Sequence, residues 1–174
     1  MLSPKLLNNR IIFALIFLAC LSSLAFALYM QLVEGMMPCP LCVFQRIALI
    51  VIAALSLSAF IHNPKKLASK IYSILVLLTS VAGLSVALRQ SWLQGLPTAD
   101  APSCGPGIGY MFQNLPLKDF FMLIFNGSAD CTKSVPFMGM TFADWSSIFF
   151  GIISITSFAL IIFYRSNSKK CATK

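Results

Sequence analysis

The sequence predicts an all-α membrane protein folded as a four-transmembrane-helix bundle, and three observations favour this fold class. Of the 174 residues, 58% are hydrophobic and only 10% are charged. The mean hydropathy is +0.84, which is higher than a water-soluble domain of this size needs to fill its core. Four apolar stretches each approach the ~20 residues that cross a ~30 Å hydrocarbon core. Within lipid such stretches must be helices, because a helix satisfies its own backbone hydrogen bonds.

The four predicted spans divide the chain into membrane segments and two outer loops. The spans cover about residues 11–31, 43–61, 71–88 and 145–164. The second span is the one that contains a charged residue, Arg46. We therefore expect a single integral membrane domain over residues 1–174, with outer loops at about 32–42 and 89–144.

The first predicted span has an alternative interpretation as a signal peptide. Lys5 and Arg10 precede its apolar core, and an Ala-Phe-Ala sequence at 25–27 is typical of a cleavage site. The apolar run nevertheless continues through Leu28 and Met30, so we interpret this stretch as a retained span.

The distribution of charge predicts the orientation. Nine of the 13 basic residues fall on one side of the four spans: Lys5, Arg10, Lys65, Lys66, Lys70, Arg165, Lys169, Lys170 and Lys174. All five acidic residues fall on the other side: Glu34, Asp100, Asp119, Asp130 and Asp144. The positive-inside rule then places both termini in the cytoplasm. The net charge of +8 is thus a topology signal, and we expect no nucleic-acid partner because the basic residues are divided among three short segments.

The second outer loop contains a short apolar stretch from Leu115 to Phe125. Pro116 stands near its start and Asn126-Gly127 follows its end, which favours a helix. This helix is too short to cross a membrane, so we expect it on the outer surface. The alternative is an apolar loop packed on the bundle.

Six cysteines separate according to the side of the membrane. Four fall on the outer side: Cys39, Cys42, Cys104 and Cys131. Cys20 lies within the first span as a small apolar residue, and Cys171 lies in the cytoplasmic tail as an exposed thiol. In an oxidising compartment an even set of outer cysteines predicts disulfides.

Four outer cysteines allow three pairings. Local closure of the C-x-x-C sequence favours Cys39–Cys42 together with Cys104–Cys131. The first loop is too small to stabilise the fold much, which favours a redox role, whereas the second is long enough to be structural. Two inert disulfides are the alternative. We expect no metal site, because 26 residues separate Cys104 from Cys131 and structural zinc sites usually have a second close pair.

Cys42 lies at the N-terminus of the second span, where the helix dipole and free amides favour a thiolate. Arg46 follows at i+4 on the same helical face. A cation beside a thiolate at the membrane edge indicates a lipid-soluble electron acceptor, and a quinone fits because its carbonyl oxygens accept hydrogen bonds from a guanidinium. The alternative for Arg46 is contact with lipid headgroups.

Several motifs in the chain resemble those of the disulfide bond formation protein B (DsbB) family, the thiol:quinone oxidoreductases of the bacterial inner membrane. The resemblance covers nearly the whole chain. The matching segments are residues 38–46 (PCPLCVFQR), 89–94 (RQSWLQ), 102–106 (PSCGP), 127–131 (GSADC) and 137–140 (FMGM).

The resemblance implies a role for each outer cysteine. Cys104 would form a mixed disulfide with a periplasmic dithiol oxidase of the DsbA type. Cys131 would then attack Cys39, leaving Cys42 as the thiolate that contacts a membrane quinone, ubiquinone or menaquinone. Arg46 matches the family arginine that supports the quinone chemistry.

Two features of the chain bear on this resemblance. Family members often carry a Trp shortly after the second lone cysteine, where this chain has Val135-Pro136, so the local loop packing is expected to differ. Residues 89–94 lie where family members also line the quinone pocket, with side chains that vary. The alternatives to the general activity are a specialised relative that oxidises a dedicated partner and a non-enzymatic, disulfide-stapled membrane scaffold.

Overall fold

A computed structural model describes residues 4–35, 39–62, 64, 66–95, 136–137 and 139–172. The elements in chain order are α1 (Pro4–Leu32), α2 (Pro40–His62), α3 (Lys66–Gln94), β1 (Pro136–Phe137), β2 (Met140–Thr141) and α4 (Phe142–Ala172).

The four helices are each long and apolar enough to cross a membrane. Their candidate spans are Arg10–Leu32, Pro40–His62, Leu67–Gln94 and Phe142–Tyr164. Large apolar side chains such as Leu18, Leu78 and Ile155 are exposed on the outer faces of these helices, as expected where the surrounding solvent is lipid. The predicted four-helix membrane fold is confirmed. The surface helix predicted at 115–125 lies outside the described residues.

Helix α3 is longer than the predicted span. The apolar stretch ends at Leu88, but the helix continues through Gln94, so residues 89–94 lie on α3 and not in the second outer loop as expected. Arg89 and Gln90 end the apolar character without ending the helix, because Arg and Gln are good helix formers. The helix stops at Gly95, whose amide donates to the carbonyls of Ser91 and Trp92 at 3.2 Å each.

Helix α4 begins directly after a small antiparallel hairpin. Strand β1 pairs with β2, and Gly139 in the turn has a φ of 83° that suits glycine. Thr141 then caps α4, because its Oγ1 accepts from the Asp144 amide at 3.3 Å while the Asp144 carboxylate accepts from the Thr141 amide at 3.1 Å. This reciprocal pair satisfies two amides at the start of the helix.

Consecutive helices pack against one another, and α3 and α4 share the most extensive interface. The interior contains one apolar cluster around Cys20, Ile52 and Phe150. A second cluster, nearer the N-terminus of α1, contains Phe13 and Tyr164. Both clusters join side chains from α1 and α4, so the four helices enclose a common core.

Small residues line the contact between α3 and α4. Ser80 and Ser154 share a hydrogen bond of 2.9 Å between their hydroxyl oxygens, and Ser69 bonds the Tyr164 hydroxyl. Gly83 lies so close to Phe150 that an added Cβ would be 2.6 Å from the Phe150 ring. Such residues let helix backbones approach within a membrane, where burial of apolar surface no longer distinguishes protein from lipid.

Candidate active site

The C-x-x-C sequence forms the start of α2. The Cys39 carbonyl accepts from the Val43 amide at 3.2 Å, so Cys39 occupies the N-cap position. Pro40 follows as the first helical residue, where its lack of an N–H costs nothing. The Cys39 sulfur also accepts from the Cys42 amide at 3.4 Å. The sequence Cys-Pro-x-Cys therefore both begins the helix and brings the second cysteine back toward the first.

The two sulfur atoms are 3.0 Å apart, which is hydrogen-bonding contact and not the ~2.05 Å of a disulfide bond. Cys39 is buried, with 6% of its surface exposed, whereas Cys42 is half-buried. Of the pair, Cys42 is thus the more accessible sulfur. The Cys39–Cys42 disulfide stays a prediction, and the geometry needs only a small movement to form it.

Two buried glutamines connect this pair to α3. Gln90 Nε2 donates to Cys42 Sγ at 3.1 Å, and Gln45 Nε2 donates to Gln90 Oε1 at 2.7 Å. Gln45 is 6% exposed and Gln90 is 3% exposed. Sequence reasoning gave no role to Gln45 and included Gln90 only within the segment 89–94. The sequence offered one signal for Gln45, which is an amide within an apolar span. A buried polar group is costly unless it has a hydrogen-bond partner, so such a residue indicates a contact with another helix.

Arg46 is held by α1. Its Nη1 donates to Gln31 Oε1, and its Nη2 donates to the carbonyl of Ala27 at 3.2 Å. The guanidinium has five N–H groups, so these two bonds fix its position without using all of its donors. The headgroup interpretation of Arg46 is therefore incomplete, because two acceptors on α1 orient the side chain. Sequence reasoning did not identify Gln31.

Of the other four cysteines, the described residues include Cys20 and Cys171. Cys104 and Cys131 lie outside the described residues, so their disulfide and their roles stay predictions. Cys20 is fully buried in the apolar core, in line with its interpretation as a small apolar residue. Cys171 lies on the last turn of α4. Within the described part of the chain, no group of three His, Cys, Asp or Glu residues is arranged to hold a metal ion.

The fold and the thiol pair together define a class: a multi-pass membrane protein with a C-x-x-C pair at the start of a span. A family model described as "Disulfide bond formation protein DsbB" matches residues 9–160. The chain belongs to the DsbB family.

Individual relatives agree with this family. The chain is 45% identical over 148 residues to Disulfide bond formation protein B of Nitrosomonas eutropha, covering 84% of this chain and 90% of the relative. It is 42% identical over 154 residues to the protein of that name from Saccharophagus degradans, covering 87% and 93%. A third relative of that name, from Marinobacter nauticus, is 39% identical over 150 residues, covering 86% and 89%.

Family membership defines the activity in outline. The protein is a multi-pass membrane protein of disulfide bond formation. The family name implies a disulfide oxidoreductase with a disulfide-forming partner, and the four spans imply a lipid bilayer. The thiol pair of α2 is the described feature suited to that chemistry.

Proposed function

We propose that the protein is a thiol:quinone oxidoreductase of the bacterial inner membrane. It reoxidises a periplasmic dithiol oxidase of the DsbA type and passes the electrons through two cysteine pairs to ubiquinone or menaquinone. One observation carries the proposal: the half-buried Cys42 sulfur, 3.0 Å from that of Cys39, lies at the start of a membrane span with Arg46 one turn further along.

The thiol steps balance as successive exchanges. A thiolate of the reduced partner attacks Cys104 of the Cys104–Cys131 disulfide and releases Cys131 as a thiolate. Cys131 attacks Cys39 of the Cys39–Cys42 disulfide and releases Cys42 as a thiolate. The partner's second thiol then resolves its bond to Cys104 and leaves oxidised. Cys104 resolves the Cys131–Cys39 bond, which restores the first disulfide and leaves Cys39 and Cys42 reduced.

The residues around Cys42 suit a quinone as the final acceptor. A quinone is apolar enough to reach the site from the bilayer, and it supplies a two-electron, two-proton acceptor for the Cys39–Cys42 dithiol. Arg46 would hold it by donating to a carbonyl oxygen and would keep a positive charge where negative charge accumulates. Gln31 and Ala27 orient that guanidinium from α1.

The orientation follows from charge. The basic segments at the start of α1, around the start of α3 and at the end of α4 favour the cytoplasm. The end of α1 and the start of α2 then face the periplasm, so the Cys39–Cys42 pair lies on the same side of the membrane as the partner that Cys104 meets.

Turnover with and without quinone tests this function. Purified protein should oxidise an excess of reduced partner only while quinone is present. After quinone is removed, we expect a stoichiometric burst and then a stall, because the cysteine pairs store only a fixed number of electrons. Cys42→Ser should abolish quinone reduction, whereas Cys171→Ser, in the tail, should not.

The other functions give different outcomes in the same assay. A membrane scaffold would reduce no quinone with any dithiol. A specialised relative would reduce quinone with its dedicated partner and not with the general oxidase. Sustained oxidation of the partner by quinone-free protein, under anaerobic conditions, would contradict the proposed electron acceptor.

A further inference from the structure

The buried amides of Gln45 and Gln90 form a chain of hydrogen bonds that ends on Cys42. We propose that this chain is an amide relay that stabilises the anionic form of the Cys42 sulfur. Gln90 supplies the hydrogen bond, and Gln45 is a positioning residue that acts through Gln90. The inference rests on the proposed function, since the stabilised thiolate is the one that delivers electrons to the quinone.

The distances decide which atom of Gln90 faces the sulfur. Gln90 Nε2 donates to Cys42 Sγ at 3.1 Å, and the protonated Cys42 thiol can donate to Gln90 Oε1 at the longer distance of 3.6 Å. The nearer group is thus a donor, which suits a thiolate because an anion accepts but does not donate. A hydrogen bond to a charged group is about twice as strong as one between neutral groups, so this contact favours the ionised form.

Gln45 fixes this orientation. A glutamine amide can rotate by half a turn and exchange its oxygen and nitrogen. In Gln90 the rotated form would present Oε1 to the sulfur and would repel a thiolate. The Gln45 amide donates to Gln90 Oε1 at 2.7 Å, which opposes the half turn and keeps Nε2 as the atom nearer to Cys42. Both amides are more than nine-tenths buried, so water competes little with these bonds.

Each sulfur of the pair has its own donor. The Cys42 backbone amide donates to Cys39 Sγ at 3.4 Å, and the Gln90 side chain donates to Cys42 Sγ at the shorter distance of 3.1 Å. The hydrogen bond from Gln90 therefore favours a thiolate at Cys42 over a thiolate at Cys39.

Charged groups also surround this end of the bundle. In the described ranges they are Glu34 after α1, Arg46 on α2, Arg89 on α3 and Asp144 at the start of α4. Arg46 is bonded to α1, and Arg89 lies 4.3 Å over the Trp92 ring. The carboxylate of Asp144 caps its own helix through Thr141. The Gln90 side chain adds to these charges a neutral, buried hydrogen-bond donor that contacts Cys42 directly.

The test measures ionisation of Cys42 without quinone. The reduced, full-length protein is alkylated with iodoacetamide at a series of pH values, and mass spectrometry follows the peptide that carries Cys42. Gln90→Met keeps the length of the side chain and removes the donor. We expect this variant to lower the thiolate-to-thiol ratio of Cys42 about tenfold, as loss of a hydrogen bond to an anion predicts.

The second amide gives a sharper expectation. Gln45→Met should change the ratio in the same direction but less, because Gln90 still reaches the sulfur. The double variant should have the same thiolate-to-thiol ratio at Cys42 as Gln90→Met alone, since Gln45 acts only through Gln90.

Ser85→Ala, at an exposed site on α3, is the control, and its ratio should match that of the parent protein. Gln90→Asn, which withdraws the amide from the sulfur while keeping its polarity, replaces Gln90→Met if that variant does not insert.

Two results would overturn parts of the inference, and a third would overturn the proposed function on which it rests. An unchanged pH profile in folded Gln90→Met or Gln90→Asn would refute the hydrogen bond to the thiolate. Additive effects in the double variant would refute the positioning role of Gln45. Quinone reduction is measured separately: a shifted profile in a protein that reduces no quinone would refute the proposed function and leave the relay intact.

Discussion

Arg46 is a charged residue in an apolar helix, and its contacts determine what a substitution would remove. The two bonds to Gln31 and Ala27 depend on the planar fork of the guanidinium. Lysine keeps the charge but offers a single nitrogen, so it cannot reach both acceptors and a ligand in the same way. Substitution by lysine therefore tests the hydrogen-bonding geometry of Arg46 separately from its positive charge.

We expect Arg46→Lys to insert normally and to raise the apparent Michaelis constant for quinone about tenfold or more, equivalent to roughly 1.4 kcal/mol of lost interaction. Arg46→Gln, which also loses the charge, should be worse. The measurement is quinone reduction over a quinone titration with reduced partner in excess.

Arg10→Lys is the matched control, because Arg10 lies at the opposite end of the bundle over the Phe60 ring. It should leave the quinone titration unchanged. If Arg46→Lys behaves like the parent protein and Arg46→Gln merely fails to insert, then Arg46 is a membrane anchor and the quinone site lies elsewhere.

The residues of the site differ in how far sequence could identify them. Cys39, Cys42 and Arg46 were identifiable because a thiol pair at the edge of an apolar span, followed by a cation within the span, is rare. Gln45 and Gln90 were not, since an amide carries no charge and their contact joins residues 45 positions apart in the chain. Sequence spacing predicts contacts within one helix but not the rotation of one helix against another.

At the scale of elements, the close contact between α3 and α4 depends on Gly83. The Phe150 ring occupies the space that a side chain would need, and Phe150 is itself 1% exposed. The ring therefore cannot move aside without disturbing the core.

We expect Gly83→Ala to lower the free energy of unfolding by about 1–3 kcal/mol, the usual effect of overpacking. Unfolding in mixed detergent micelles, followed by circular dichroism, measures this change.

Gly151→Ala is the control for Gly83→Ala. Nothing lies within 4 Å of an added Cβ at that position on α4, so the better helix propensity of alanine should stabilise the protein by up to about 1 kcal/mol. Phe150→Leu combined with Gly83→Ala should recover part of the loss. Equal stability of the two alanine variants would show that the ring adapts without cost.

The elements also show where hydropathy fails as a guide. The number and order of the helices were predictable from the apolar stretches, because the bilayer fixes their length. The end of α3 was not, because hydropathy reports where lipid ends whereas helix propensity and Gly95 determine where the helix ends. Gln90 was consequently assigned to a loop although it lies on a helix beside Cys42.

At the scale of the whole molecule, the proposed electron path requires a division of labour between the cysteine pairs. Cys131→Ser should trap a covalent adduct between Cys104 and the partner oxidase, because the thiol that continues the exchange is missing. Non-reducing gels of cells that express the variant would display the adduct.

Two further variants define that experiment. Adding Cys104→Ser to the trap should abolish the adduct, whereas adding Cys171→Ser should leave it. An adduct that survives the loss of Cys104 would mean that another thiol meets the partner.

The burial of Cys39 bears on how the proposed Cys39–Cys42 disulfide would avoid reduction by other thiols. A disulfide that drives the oxidation of other proteins is also a target for every small thiol in its surroundings, and each such encounter would waste an oxidising equivalent. Thiol exchange requires the attacking sulfur to approach in line with the bond it breaks, so its rate depends on access. Only 6% of the Cys39 surface is exposed, so a freely diffusing thiol reaches this sulfur less easily than the half-buried Cys42 sulfur. On the proposed function, the start of α2 would thus slow attack on Cys39 by soluble thiols.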